Sequence, residues 1–323
     1  SPMRPARSTW CASPADGAMS GHPGHPHHHV GPEAGDLRVA LAVGVNLFLT
    51  LVQIVAGVIS GSLSLVADAI HNLSDALSLG IALAARRIGR RPADAEMTFG
   101  YGRAEVVAAL INYTTLIVIA VWLLAEGVMR VFSPEPVTGW IMVAVAGVAL
   151  AVDLVTAALT WAMAKTSVNI RAAFLHNLAD ALGSLGVMVA GSLILLYGAT
   201  WVDAAVTLAI ATYILWQSVA GLRPVVRILM LASPEGLDAR EVLDAMRAEP
   251  GVADVHHLHL WRMQEHEAAL EAHVVLSGER PAQDVRLGLK AMLEKRFGLA
   301  HTTLELETAE TACDAPQRLG HAG

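Results

Sequence analysis

The chain has 323 residues, 54% hydrophobic and 16% charged, far below the roughly 25% charged residues of a soluble globular domain, so a membrane protein is expected. The formal net charge of −7 gives no basis for binding nucleic acid. Two cysteines, Cys11 and Cys313, argue against a disulfide framework or a Cys-rich zinc module.

Residues 1–36 carry Pro, Gly and His without periodicity and are expected to be a disordered tail. His22, His25, His27, His28 and His29 cluster there. Their Gly-Pro interruptions differ from a plain purification tag, and the cluster reads as a loose metal-collecting tract.

Six apolar segments follow, at 37–60, 65–87, 104–131, 138–163, 171–197 and 201–223, making a transmembrane domain over residues 37–226. Each holds about 20 residues or more, enough at about 1.5 Å per residue to cross a hydrocarbon core of about 30 Å. Arg86, Arg87, Arg90, Arg91 and Arg103 flank one loop, Lys165 and Arg171 another, and Arg223 and Arg227 follow the sixth segment. The opposite loops, at Gly61-Ser62 and Gly198-Ala199, carry no basic residue. The positive-inside rule then puts both termini in the cytoplasm.

Residues 234–308 change character. Leu237–Ala248 and Asp284–Arg296 read as helices, and Val252–Met263, Ala268–Leu276 and Thr302–Leu306 as strands. The order αββαβ suits a small α+β domain of ferredoxin-like type. Residues 309–323 read as a flexible tail.

The chemistry lies within the membrane segments. The second segment contains Asp68, His71 and Asp75, and the fifth contains His176 and Asp180. An ionisable side chain in a membrane helix costs about 2.5–3.5 kcal/mol on insertion scales and marks an ion path by default. His71 and Asp75 are four apart and share a helix face, as do His176 and Asp180. The runs His71-Asn72-Leu73-Ser74-Asp75-Ala76-Leu77 and His176-Asn177-Leu178-Ala179-Asp180-Ala181-Leu182 differ at one position. Such internal repeats commonly meet at a midplane substrate site. Two imidazoles and two carboxylates make a four-coordinate tetrahedral set suited to Zn²⁺, with Co²⁺ or Cd²⁺ also fitting. Mg²⁺ and Ca²⁺ want more oxygens. The bland alternative, polar glue between helices, returns about 0.6 kcal/mol per bond, little against the cost of placing charge in lipid. Asp68 sits three residues before His71 and supports the path; Asn46, Gln53, Asn112 and Asp153 line it or glue helices, and Asp203 reads as a cap on the sixth helix.

At this point the chain resembles the cation diffusion facilitator family of metal/proton antiporters, over about residues 37–308. The resemblance rests on Ser64-Leu65-Val66-Ala67-Asp68-Ala69 leading into His71-x-x-x-Asp75, and on Phe99-Gly100-Tyr101-Gly102-Arg103-Ala104-Glu105. It rests also on Asn169-Ile170-Arg171-Ala172-Ala173 before His176-x-x-x-Asp180, and on His256-His257-Leu258-His259-Leu260-Trp261. It implies a homodimer, a metal site between the second and fifth helices, and a cytoplasmic domain of metallochaperone-like fold. Some relatives bind a further metal in the loop after the second helix through an Asp and two His. Here Asp94 remains, but Met97 and Tyr101 stand where the histidines would be. The short loop Ala164–Val168 looks bacterial and implies the inner membrane.

An imidazole titrates near about pH 6.5 and binds metal only when neutral, so protons and metal compete for His71 and His176. Metal entry from the cytoplasm, rocking of the bundle and release by external protons form the expected cycle. In the cytoplasmic domain, strand parity puts His273, His301, Glu305 and Glu307 on the open sheet face, a candidate regulatory Zn²⁺ site. The resemblance adds His256, although parity separates it from His257 and His259, leaving open which of them joins. The retained set is His256, His273, His301 and Glu307. An enzyme is not expected: an intramembrane metalloprotease would need a His-Glu-x-x-His type motif, and none occurs. A membrane-bound metal sensor or an importer using the same site are the rival readings.

Overall fold

The computed structural model describes residues 32–164, 168–264, 267–313 and 316–320. The histidine cluster at 22–29 lies outside the described residues. The chain divides into a unit of residues 1–42 and a unit of residues 43–323. Six long helices come first: α1 (Pro32–Ser60), α2 (Leu63–Gly89), α3 (Ala104–Phe132), α4 (Gly139–Ala164), α5 (Val168–Tyr197) and α6 (Trp201–Leu229). The small domain follows as α7 (Ala239–Arg247), β1 (Val252–Gln264), β2 (Glu267–Leu276), α8 (Ala282–Phe297) and β3 (His301–Glu307). The chain is thus a helical transmembrane domain followed by a small α+β domain.

Among the described residues, Ala104–Phe132, Gly139–Ala158, Phe174–Tyr197 and Trp201–Leu229 are long and apolar enough to cross a bilayer. The second helix is less apolar because it carries Asp68, His71, Asp75, Arg86 and Arg87, as a helix lining a polar path must. Large apolar side chains such as Phe48, Val118, Trp122 and Trp216 are exposed on the helices, which a water-soluble bundle would avoid and lipid favours. Phe132, Trp140, Tyr197 and Trp201 lie at helix ends and are also exposed, as interfacial anchors do.

The pairs α3–α6 and α4–α5 pack along their lengths, and α2 touches α3, α5 and α6. Small residues let backbones approach. A Cβ on Gly139 would lie 2.6 Å from the Gly191 carbonyl oxygen, so this α4–α5 crossing tolerates no side chain. The sixth helix runs beyond the expected end at 223, through Pro224 to Leu229. Proline deletes one N–H without forbidding the turns that follow. Met230 ends it, and Leu231 takes a left-handed φ of 57°.

Arg227 Nη2 donates to the Ser233 carbonyl at 3.2 Å, holding the link into the α+β domain. There β1 pairs antiparallel with β2, and β2 parallel with β3, in the order β1-β2-β3. Val242 and Met246 of α7 and Val285, Leu289 and Leu293 of α8 pack with Val255, Leu270 and Val274 of the sheet. Asp238 caps α7 by accepting from the Arg240 amide at 2.8 Å. Gly298, with φ 68°, ends α8 in the left-handed conformation that suits glycine.

Candidate metal centre

His71 and Asp75 of α2 face His176 and Asp180 of α5. His71 Nε2 lies 3.4 Å from Asp180 Oδ1 and 3.7 Å from Asp75 Oδ2. His176 Nε2 lies 3.3 Å from Asp75 Oδ2 and 3.5 Å from Asp180 Oδ2. The two imidazole centroids are 6.2 Å apart. Ligand atoms of His71, Asp75 and Asp180 all fall within 4.8 Å of one another. Both ring nitrogens of His71, with Asp75 Oδ2 and Asp180 Oδ1, are buried without a hydrogen-bond partner. Buried polar atoms are ordinarily satisfied, so such a group demands an explanation. A dehydrated cation held by His71 Nε2, Asp75 Oδ2 and Asp180 Oδ1 would supply one for those three atoms, and His176 Nε2, 3.3 Å from Asp75 Oδ2, would complete a set of two nitrogens and two oxygens.

The cluster is open on one side. Asp75 and His176 keep 33% and 37% of their side-chain surface, against 10% for His71 and 11% for Asp180. Asp75 is one turn nearer the α2–α3 loop than His71, and His176 is one turn nearer the α4–α5 loop than Asp180. The exposed pair therefore looks toward the arginine-flanked loops.

On the other side lies Asp68, one turn back along α2 and buried. Gln53 Nε2 of α1 donates to its Oδ2 at 2.9 Å, and Ser184 Oγ of α5 donates to the same oxygen at 3.3 Å. Ser184 Oγ also lies 3.1 Å from Asp153 Oδ2 of α4. Gln53 and Asp153 thus belong to a polar layer beneath the cluster. Asn112 receives a long 3.5 Å contact from Ser74 Oγ, at the edge of this network. Tyr213 of α6 also borders the cluster, its ring edge-on to His71 at 6.1 Å. One tyrosine in an apolar helix carries no signal of that neighbour.

Asp203 caps a different helix from its own. Its carboxylate accepts from Ser62 Oγ at 2.6 Å, the Leu63 amide at 2.9 Å, and the Ser64 amide and hydroxyl at 3.2 and 2.6 Å. These are the orphan donors of the α2 N-terminus. Arg130 Nη1 sits 3.9 Å from Asp203 Oδ2 and donates to the Gly61 carbonyl at 2.6 Å. The far end of α2 is thereby tied to α3 and α6.

In the loop after α2, the Tyr101 hydroxyl donates to Asp94 Oδ2 at 2.7 Å, and the Glu96 and Met97 amides donate to its Oδ1. The Tyr101 hydroxyl, then the two amides, hold the Asp94 carboxyl below the usual carboxylate range. Hydrogen bonds close this loop where histidine ligands are missing. Arg103 Nε donates to the Met263 carbonyl at 2.9 Å and fastens the loop to β1.

A second cluster lies on the sheet face away from α7 and α8. His256 and His273 are direct cross-strand partners. His273 Nδ1 lies 2.6 Å from Glu307 Oε1, and His256 Nε2 lies 3.2 Å from Glu307 Oε2. Cys313 joins them, and one ligand atom from each of the four falls within 4.8 Å of the rest. Both His256 nitrogens are buried without a hydrogen-bond partner. A bulge interrupts β1 at these histidines: register slips between His256 and His259, His257 takes φ 50°, and the His257 ring lies 5.1 Å from that of His256 and 5.2 Å from that of His273. Strict alternation fails there, since a bulge inserts extra residues. His301 does not join. It pairs opposite Ala269, whereas Glu307 pairs opposite Val275. Parity was sound for both, but six residues of strand separate them by roughly 20 Å.

A helical bundle with a buried nitrogen–oxygen cluster, followed by a small α+β domain, defines a multi-pass membrane protein that handles metal cations. Residues 39–230 match the cation efflux transmembrane domain, and residues 234–309 match the cytoplasmic domain of cation efflux proteins. The chain belongs to the cation efflux family. It is 36% identical over 289 residues to the metal cation efflux system protein CzcD of Cupriavidus metallidurans, covering 88% of this chain and 90% of that one. It is 32% identical over 292 residues to the zinc transporter ZitB of Escherichia coli, covering 88% and 92%. It is 31% identical over 266 residues to a cadmium, cobalt and zinc/H(+)-K(+) antiporter of Bacillus subtilis, covering 80% and 84%. The metal-bound C-terminal domain of the CzcD transporter, a solved structure, is 36% identical, with 22% of this chain and 99% of that one covered and a TM-score of 0.21.

Proposed function

We propose that this protein exports a divalent transition metal, Zn²⁺ foremost and Co²⁺ or Cd²⁺ as well, from the cytoplasm in exchange for protons. The observation that carries this is the convergence of His71, Asp75, His176 and Asp180, with atoms of His71, Asp75 and Asp180 buried without a hydrogen-bond partner. Two carboxylates neutralise a dication in a low-dielectric interior, while two imidazoles set the preference for borderline metals. Protons compete for the same nitrogens, which couples metal release to proton uptake. The named relatives include a zinc transporter and a cadmium, cobalt and zinc/H(+)-K(+) antiporter, in keeping with this reading.

Exposure of Asp75 and His176 toward the basic loops corresponds to a cytoplasm-facing site, with both termini cytoplasmic by the positive-inside rule. The Asp68 layer and the Asp203 latch close the opposite end. We place the protein in the inner membrane as a homodimer. His256, His273 and Glu307 form a regulatory metal site in the cytoplasmic domain. Metal-loaded vesicles with an imposed pH gradient test the central reading. Zn²⁺ flux that follows the gradient, and reverses with it, is expected; flux indifferent to the gradient would remove the proton coupling.

A further inference from the structure

The last described residues form a strap across the histidine-bearing face of the small domain. After β3, a turn reverses the chain: the Thr311 amide donates to the Thr308 carbonyl at 3.1 Å and the Ala312 amide to the same carbonyl at 3.0 Å. The chain then crosses to the outer edge of β1, on the far side of the sheet from β3. There the His257 amide donates to the Gln317 carbonyl at 2.7 Å, the Leu258 amide to the Arg318 carbonyl at 3.2 Å, and the Gly320 amide to the Leu258 carbonyl at 3.2 Å. Leu258 and Leu319 make a parallel bridge.

Two consecutive amides, those of His257 and Leu258, serve the strap. In a regular strand, successive N–H groups point to opposite edges. The bulge at His257 turns both outward, so the same irregularity that brings His256 over His273 also builds the docking edge for the strap. Midway across, Cys313 Sγ comes within 3.9 Å of His273 Nδ1 and 3.8 Å of Glu307 Oε1. Beneath it, His256 is 1% exposed and both its ring nitrogens lack a hydrogen-bond partner. Two nitrogens, one carboxylate and one thiolate are a borderline-soft, four-ligand set that fits Zn²⁺ or Cd²⁺.

We infer that Cys313 is the fourth ligand of the cytoplasmic-domain metal site, and that metal binding clamps residues 316–320 onto β1. This rests on the reading of His256, His273 and Glu307 as a metal site. Among the described residues, three main-chain hydrogen bonds fasten the end of the strap to β1, and Leu319 remains 41% exposed. Segments with few buried apolar contacts open at low free-energy cost. A thiolate–metal bond at its middle converts an edge that opens readily into a closed one. The strap binds the strand that also holds Arg103 of the α2–α3 loop through Met263, so closure stiffens the strand that meets this loop.

The test uses the full-length protein carrying Cys11→Ser, so that Cys313 is the sole thiol, titrated with Cd²⁺. Two readouts are followed: the ultraviolet cadmium–thiolate charge-transfer band, and amide exchange at His257, Leu258 and Gly320 compared with amides beside His273. Expected are a saturating band, together with slowed exchange at the strap and at His273. Adding Cys313→Ser is expected to abolish the band and the strap protection, and to weaken protection at His273 by about tenfold or more in Cd²⁺ concentration. Protection at His273 without band or strap protection overturns the inference and leaves the three-residue site standing. No metal-dependent protection anywhere in the domain overturns both.

Discussion

His176 lies closer to Asp75 on the neighbouring helix, at 3.3 Å, than to Asp180 on its own, at 3.5 Å. His71 shows the same preference, 3.4 Å to Asp180 against 3.7 Å to Asp75. Neither helix holds a self-contained half-site, since each imidazole is matched with the other helix's carboxylate. Relative movement of α2 and α5 therefore breaks the cross-helix contacts first.

Asp75→Ala and Asp180→Ala are each expected to abolish Zn²⁺ transport in proteoliposomes and to weaken Zn²⁺ binding by about 100-fold or more. Each removal strips both histidines of a carboxylate partner. Transport above the empty-vesicle background in either variant would contradict a shared four-ligand site.

His71→Asp exchanges a nitrogen ligand for oxygen. The resulting set, three carboxylates and one imidazole, is harder, so selectivity is expected to broaden toward Mn²⁺. Competition between Zn²⁺ and Mn²⁺ in vesicle uptake measures this; an unchanged ratio counts against His71 as a ligand.

Asp203→Ala leaves the α2 N-terminal amides and the Ser62 and Ser64 hydroxyls without their carboxylate, while Arg130 keeps Glu126 at 3.3 Å and Glu135 at 3.0 Å. Leaving such buried donors unsatisfied costs about 1–3 kcal/mol. A lower unfolding midpoint in detergent is expected, with Zn²⁺ affinity little changed because Asp203 meets α2 at Ser62–Ser64, about three turns before Asp75. A midpoint equal to that of the parent protein would show that the latch contributes nothing.

The Asp94–Tyr101 loop carries a pH signature. Hydrogen bonding holds the Asp94 carboxyl below its ordinary range, so its contribution is fully present above that range and is lost as pH falls through the depressed value. Exchange protection of the Glu96 and Met97 amides, corrected for intrinsic rates, is expected to be flat from about pH 5 to 8 and to fall only in stronger acid. Tyr101→Phe removes the largest cause and is expected to move that fall to higher pH. An unmoved midpoint would show that the hydroxyl does not hold the carboxylate.

Cutting Leu289→Ala in the core between α8 and the sheet is expected to cost about 2–5 kcal/mol. Leu289 is fully buried. Thermal unfolding of the full chain in detergent reads this, and a loss well under 1 kcal/mol would show that the α8 packing is loose.

Short-range geometry is legible in the order of residues alone. Side chains four apart on a helix share a face whatever surrounds them, so His71 with Asp75, and His176 with Asp180, were legible as pairs. Apolar runs of bilayer length announced the helices, and alternation announced the strands of the small domain. Contacts between residues distant in the chain were decided by the tertiary structure. Asp203 looks like a cap for α6 from its position, yet its carboxylate reaches Ser62 and Ser64, about 140 residues earlier. Tyr213 meets His71 only because α6 packs beside α2. One bulge at His257 overrides the two-residue period that parity depends on, and brings His256 over His273. His301 shares a face with Glu307 but not a location, because periodicity gives direction and never distance along a sheet. Cys313, in a stretch with no periodicity, reaches the cluster just after a turn closed by backbone hydrogen bonds to the Thr308 carbonyl, and such bonds leave no mark on side-chain pattern.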